Sequence, residues 1–170
     1  MLGQPSSPIL AQAEQAIQAK IPQQLQNEFQ SILKAGLTIM QAPQLAQTMK
    51  HRLMSDTNPI KTAGEGAARM MAEINKQGGN IFSNPQYGPL AMPCALMFAY
   101  EYLDMSSKVG KIQITPQVLS HTVQSVGHAM LPLFGVTPDK MHSMIAQAHA
   151  QKSQSAISQN GIIGAQTQGA

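Results

Sequence analysis

LAMPCALMFAYEYL, residues 90–103, is the stretch on which the fold depends, because it is apolar on every side from Leu90 to Tyr100. A helix that is hydrophobic all round is buried in a core or in an assembly. This one is too short to cross a bilayer, which takes about 20 residues. We therefore expect it to form the central helix of the fold and to reach the surface at Glu101 and Asp104.

Helical spacing of apolar residues continues on the N-terminal side of this stretch, and strand-like alternation is hard to find. Proline starts, glycine stops and an Asn-Pro break predict four helices there. Their expected bounds are, in order, 8–20, Pro22 to a stop at Gly36, Pro43 to the break at Asn58-Pro59, and a capping box of Thr62 and Glu65 to Gly78. Gly64 and Gly66 weaken the fourth helix unless it packs very close to a neighbour there.

Two Thr-Pro pairs, at 115–116 and 137–138, predict the N-caps and first turns of two further helices. A turn at residues 132–135 would make them an antiparallel helical hairpin. From Gln154 onward the chain is rich in Ser, Gln, Gly and Ala and has no useful period. The sequence thus predicts an all-α bundle of about six short helices over 1–153, and a flexible or partner-bound low-complexity tail over 154–170.

The surface chemistry predicted from composition is neutral rather than charged. Charged residues make up 11% of the chain, while glutamine occurs 22 times, 11 of them in the first fifty residues. Such a surface has little self-repulsion and suits a protein packed among copies of itself or other subunits. The 12 methionines favour the same interpretation, because a flexible thioether adapts to irregular interfaces. The alternative is that the high glutamine and methionine contents reflect only the general amino-acid usage of the genome.

The net charge of +3 is spread over nine lysines and two arginines without a run of them. His51, between Lys50 and Arg52, is predicted to belong to a basic surface patch. Dense basic stripes with stacking aromatics are typical of nucleic-acid binding. With no tryptophan and seven other aromatics, sequence-specific binding is not expected. Weak positive charge is still compatible with non-specific passage of DNA along the protein.

The single cysteine, Cys94, excludes an intrachain disulfide framework and is expected to be buried. The first residues, MLGQPSSPIL, lack the basic and apolar regions of a signal peptide. No apolar run reaches the length of a membrane span, although contact with a membrane stays open. We expect synthesis in a cytoplasm without a secretion signal.

Four histidines form two pairs with seven-residue spacing, and this raises the question of a metal site. The pairs are His121 with His128 and His142 with His149. Seven residues span about 10.5 Å along a helix, so one ion cannot take both histidines of a pair. On a helical wheel the first pair lies opposite an apolar face of Val118, Val123, Val126 and Met130. No HExxH motif occurs, so a polar stripe is favoured over a metal site.

No hydrolase or nucleotide-binding motif is present in the chain. Glu101 and Asp104 could form a pair for acid and base catalysis. The simpler interpretation is that they mark a helix end, where Lys108 balances their negative charge. With eight acidic residues in all, we expect no enzyme and no cofactor.

The residues expected to contact partners come from three segments. Phe82 and Tyr87 lie in a long loop, 78–89, that is expected to expose both side chains. Leu96, Met97 and Phe98 belong to the apolar helix, and Ile162 and Ile163 to the tail.

The Gln/Ala-rich segments AQAEQAIQAK (11–20) and PQQLQNEFQ (22–30), the Met-rich middle and the tail GIIGAQTQGA (161–170) resemble small virion proteins of tailed bacteriophages. The closest in character are the internal or ejection proteins of short-tailed phages. The resemblance is compositional, so no functional residue is carried over from it.

This resemblance implies a helical subunit present in many copies, forming a ring or tube around the genome path. It implies a homo-oligomer with other virion proteins as partners, made in the host cytoplasm, located in the virion and reaching the host envelope after ejection. The first alternative is a small metal-binding helical bundle that uses the histidines of the hairpin. The second is a helical component of a secretion apparatus.

Overall fold

The computed structural model describes residues 5–40 and 42–135, without the side chains of residues 44–46, 49 and 50. The chain divides into two units, 1–133 and 134–170, and the architecture below is that of the first. The predicted all-α class is confirmed, since the described residues contain helices and turns and no strand. The α-helices are α1 (Pro8–Ala19), α2 (Gln26–Met40), α3 (Pro43–Ser55), α4 (Pro59–Gln77), α5 (Ala91–Lys108) and α6 (Pro116–Met130).

Short 3₁₀ turns join or extend these helices at Gln23–Leu25, Ile81–Ser83, Gly88–Leu90 and Leu131–Phe134. The boundary predicted at 153/154, the helix predicted from Thr137-Pro138 and therefore the second half of the hairpin lie outside the described residues.

The central helix is α5, as its all-round apolar sequence predicts. It packs against α1, α2, α4 and α6. Its buried residues are Ala91, Cys94, Ala95, Met97, Phe98, Ala99, Tyr100, Tyr102, Leu103, Asp104 and Ser106. The expectation that the helix surfaces at Asp104 is wrong, because Asp104 is only 3% exposed and Ser6, in the segment before α1, hydrogen-bonds to its carboxylate.

Helices α4 and α6 approach closely because α4 presents small residues to α6. A Cβ atom at Gly64 would lie 2.8 Å from the backbone carbonyl carbon of Ser125, well inside van der Waals contact. Ala67 and Ala68 are also buried on this helix. Of the two outcomes predicted for the glycines of α4, close packing is therefore the one observed at Gly64.

Gly36 does not end α2, as the sequence predicted, but lies buried within it. A Cβ atom at this position would overlap the ring of Phe98 on α5. The glycine is therefore used for close packing of α2 on α5, and the helix continues to Met40.

The start of α4 also differs from the prediction. The helix begins at Pro59, and the side chain of Asn58 accepts a hydrogen bond from the Lys61 N–H at 3.2 Å. The predicted capping box at Thr62 is wrong, because Thr62 already lies inside the helix. Asparagine and proline together supply the cap and the first turn. At α6 the Thr-Pro prediction is confirmed, since the Thr115 hydroxyl accepts from the Val118 N–H at 3.2 Å.

The loop between α4 and α5 folds back onto its own helix end. The side chain of Asn75 accepts a hydrogen bond from the Phe82 N–H at 3.0 Å. Gly79 and Asn80 both adopt positive φ, which turns the chain sharply after α4. As a result Phe82 is only 8% exposed, so the expectation that this side chain is exposed is wrong.

Candidate functional site

An apolar cavity of about 370 Å³ lies between the end of α2 and helices α3, α4 and α5. This volume falls within the range of about 300–1,000 Å³ that is usual for small-molecule pockets. The apolar part of its wall is formed by Ile39, Met40, Ala63, Ala67, Met70 and Phe98. Because α4 contributes small residues here, space remains between it and its neighbours.

Polar groups line one side of this cavity and continue into a smaller polar hollow of about 260 Å³. The two spaces share Arg52 on α3 and Arg69 on α4 as lining residues. Tyr102 lines the apolar cavity, and its O–H donates to Asp56 Oδ2 in the polar hollow at 2.8 Å. Burial, and then this hydrogen bond, raise the pKa of Tyr102 above its usual range.

Arg52 and Arg69 are the only arginines of the chain, and both side chains are exposed. Within 5–40 and 42–135, neither guanidinium forms an ion pair with a carboxylate. Two guanidinium groups without an ion-pair partner in the described part of the chain therefore stand at the mouth, in a lining that also contains Asp56, Glu65 and Glu73.

The acidic groups around the same mouth have partners of their own. Asp56 accepts from Tyr102 and from the Asn58 N–H at 2.8 Å. Glu65 lies 3.8 Å from Lys61 Nζ. Glu73 accepts from Gln77 Nε2 at 2.8 Å. Each of the three carboxylates therefore accepts a hydrogen bond or an ion pair from another group, whereas no hydrogen bond or ion pair is formed by the two guanidinium groups within the described residues.

The amino-acid sequence alone does not indicate this cavity. It predicts that Arg52 belongs to a basic surface patch with His51, and the side chains of both residues are exposed in the structure. Nothing in the sequence joins Arg52 to Arg69, which lies on the next helix. The available signal was that the only two arginines flank a glycine-containing helix start, and this acquires meaning only once α3 and α4 are seen to line the same cavity.

A second group of titratable residues lies where α1 meets α5. Glu14 is buried, and burial together with the nearby charges of Glu101 and Asp104 raises its pKa to about 7. The pKa of Glu101 is raised as well, by burial and then by Asp104. This cluster therefore holds a proton near neutral pH.

Asp104 is the member of that group whose pKa is lowered. Burial opposes its ionisation, but hydrogen bonds from Lys108 and from Ser6 hold its pKa below the ordinary value. The Ser6 N–H donates to Asp104 Oδ1 at 2.8 Å, and the Ser6 hydroxyl donates to the same oxygen. The predicted pairing of this helix end with Lys108 is confirmed by an ion pair between Lys108 Nζ and Asp104 Oδ2. Asp104 thus ties the segment before α1 to α5.

His121 and His128 are exposed on α6, while His142 and His149 lie outside the described residues. In the described part of the chain, no three His, Cys, Asp or Glu side chains are grouped as a metal ion requires. The predicted apolar face of α6 needs one correction: Val123 is 39% exposed, and the buried positions are Leu119, Thr122, Val126 and Met130. Ser125 of the same helix packs on Gly64 of α4.

The outer face of α6 is consequently a neutral surface. The helix, PQVLSHTVQSVGHAM, contains no Asp, Glu, Lys or Arg. The side chains of Gln117, His121, Gln124 and His128 point away from the buried positions, and all four are exposed. We call these four residues the α6 outer face, and Val123 lies at the flank of the buried face.

The residues predicted to contact partners are not brought together. Met97 and Phe98 are buried in the core of the chain itself, and Leu96 and Tyr87 are half-buried against it. Cys94 is buried as expected, and burial raises the pKa of its thiol above the ordinary value. Ile162 and Ile163 lie outside the described residues.

Comparison with family models, curated proteins and solved structures finds no match to this chain. Among the helices of the described residues, none combines the length and the hydropathy that a membrane crossing requires.

Proposed function

We propose that this protein is a non-enzymatic structural subunit of a multi-copy assembly and that it associates with its own copies through the α6 outer face. The observation that carries the proposal is the chemistry of that face. It lies along a 15-residue helix that contains no Asp, Glu, Lys or Arg, it exposes neutral polar groups, and Val123 is partly exposed at its flank.

The physical reason is the small cost of burying such a face against a neighbour. A buried ion loses several kcal/mol of hydration unless it is paired. Amides such as those of Gln117 and Gln124 lose less and can hydrogen-bond across an interface. Two copies that approach through this face meet no like-charge repulsion, which is the usual barrier to self-association.

Within this proposal, the compositional resemblance to internal proteins of short-tailed phages favours a virion as the assembly. The partners are then copies of this chain and other virion proteins, and DNA passes without being read. The place of synthesis is the host cytoplasm.

The test is the mass of the full chain in solution by light scattering, over micromolar concentrations. We expect a mass that rises with concentration to a multiple of the monomer. The double variant Gln117→Lys with Gln124→Lys places like charges on the α6 outer face, and we expect it to weaken association by about tenfold or more.

The control is Gln12→Lys with Gln15→Lys, which adds the same charge at exposed positions of α1. A stable monomer at every concentration would contradict the assembly. Equal weakening by both double variants would contradict the choice of α6.

A further inference from the structure

We propose that the cavity between α2, α3, α4 and α5 binds a single-chain anionic amphiphile, with its alkyl chain among the apolar side chains and its head group at Arg52 and Arg69. The site does not depend on self-association, because its lining residues lie on elements other than α6.

The apolar part of the cavity fits a short alkyl chain. A water-sized group occupies roughly 30 Å³ in a condensed phase, so 370 Å³ holds about a dozen non-hydrogen atoms. The wall offers thioethers of Met40 and Met70 and the ring of Phe98, which adapt to a flexible apolar ligand. An alkyl chain of about eight to ten carbons fills such a space.

The guanidinium donors at the mouth select the head group. A guanidinium presents a planar fork of donors that matches a carboxylate or phosphate. Two such groups stand at the mouth without an ion-pair partner among the described residues. The three carboxylates of the same lining keep their charge, but each already accepts a hydrogen bond or an ion pair: Asp56 from Tyr102, Glu65 from Lys61 and Glu73 from Gln77. The hydroxyl of Tyr102 is likewise engaged by Asp56. The donors left for a ligand are those of the arginines, and they take an anion.

Gly66 provides a way to close the cavity without disturbing the fold. It lines both the apolar cavity and the polar hollow, and a Cβ atom built on it meets nothing within 4 Å. A leucine at this position projects into the empty space, and it also replaces a glycine in a helix interior, which favours folding.

The experiment is a titration of the labelled full chain with octanoate, octanol and octylammonium, followed by amide chemical shifts in NMR. We expect octanoate to shift residues lining the cavity with a Kd on the order of millimolar or below, as expected for a ligand of this size. Octanol should bind about tenfold more weakly, and octylammonium more weakly still. Octyl phosphate is titrated in parallel, and the anion that binds more tightly identifies the head group.

Two variants and two controls complete the test. Gly66→Leu should weaken octanoate binding at least about tenfold, whereas Ala72→Leu, at an exposed position of the same helix, should leave it unchanged. Arg52→Gln with Arg69→Gln should bring octanoate and octanol to equal affinity. Lys76→Gln, which removes an exposed positive charge elsewhere on α4, should keep the preference for the anion.

Several results would overturn the proposal. They are an absence of localised shifts with octanoate, binding that persists in Gly66→Leu, and equal affinity for octanoate and octanol in the unmodified chain. If a second copy occupies the cavity instead, Gly66→Leu will lower the mass in solution while octanoate causes no shift, and this result also rejects the ligand.

Discussion

Glu14 is a carboxyl group that folding places beside two others at the junction of α1 and α5. Its pKa in the folded chain is about 7, raised from the model-compound value of 4.5 by burial and then by Glu101 and Asp104. The folded state therefore keeps a proton that the unfolded chain has already released. The contribution of Glu14 to the free energy of unfolding is therefore largest below about pH 4.5 and decreases as the pH rises to about 7. Above pH 7 this contribution changes little.

We predict that Glu14→Gln removes this pH dependence. The amide remains neutral, so the variant should be more stable than the unmodified protein at pH 8, by about 1–2 kcal/mol after allowance for partial hydration of the site. Urea denaturation at pH 5 and pH 8 measures the effect. Glu73→Gln, at an exposed position on α4, is the control and should leave the pH profile as it is. A Glu14→Gln profile parallel to that of the unmodified chain would contradict the assignment.

Two glycines inside helices are predicted to respond to alanine in opposite directions. At Gly36 a methyl group overlaps the Phe98 ring, so Gly36→Ala should lower the free energy of unfolding by about 1–3 kcal/mol. At Gly66 the space is open, so Gly66→Ala should raise it by up to about 1 kcal/mol through helix propensity. Each variant serves as the other's control in urea denaturation. Shifts of the same sign would show that packing at Gly36 has been misjudged.

At the scale of elements, a proline at the first helical position predicts some helix starts correctly. The starts of α3 at Pro43 and of α6 at Pro116 were predicted correctly. The start of α4 was misplaced, because Thr62 and Glu65 imitate a capping box inside a helix that Asn58 and Pro59 have already begun. Asn58 with Pro59 and Thr62 with Glu65 are both residue patterns typical of a helix start. Only the backbone hydrogen bonds show which of the two begins the helix.

We predict that Asn58→Ala destabilises the protein by about 1 kcal/mol, because it removes the side-chain acceptor for the Lys61 N–H. Thr62→Ala should cost little or nothing, since Thr62 lies within the helix and alanine has the higher helix propensity. Thermal or urea unfolding of the two variants decides between the observed and the expected start. A larger loss in Thr62→Ala would support the capping box instead.

At the scale of the first unit, α5 joins four of the other five described α-helices into one core. It contacts α1, α2, α4 and α6, so a defect in its middle is felt by each of them. Met97 is fully buried at this point.

We predict that Met97→Ala lowers the free energy of unfolding by about 2–4 kcal/mol, as usual for a large-to-small change in a core. Met54→Ala, at a position 61% exposed on α3, should change it by less than about 0.5 kcal/mol. In both variants, probes on α1 and on α6 should report one coincident transition. Separate transitions would show that α1 and α6 belong to independent cores.

The sequence by itself determined the all-α class, the central place of the apolar helix and most helix starts, because these follow from local periodicity and from capping chemistry within a few residues. It did not determine which apolar side chains outside the central helix are buried. Phe82 is buried because Asn75 holds its loop against α4, whereas Val123, at the flank of the buried face of α6, is 39% exposed. Only the tertiary structure placed Arg52 and Arg69 in the lining of one apolar cavity, since this depends on how α3 and α4 are arranged around that cavity, which no local pattern encodes.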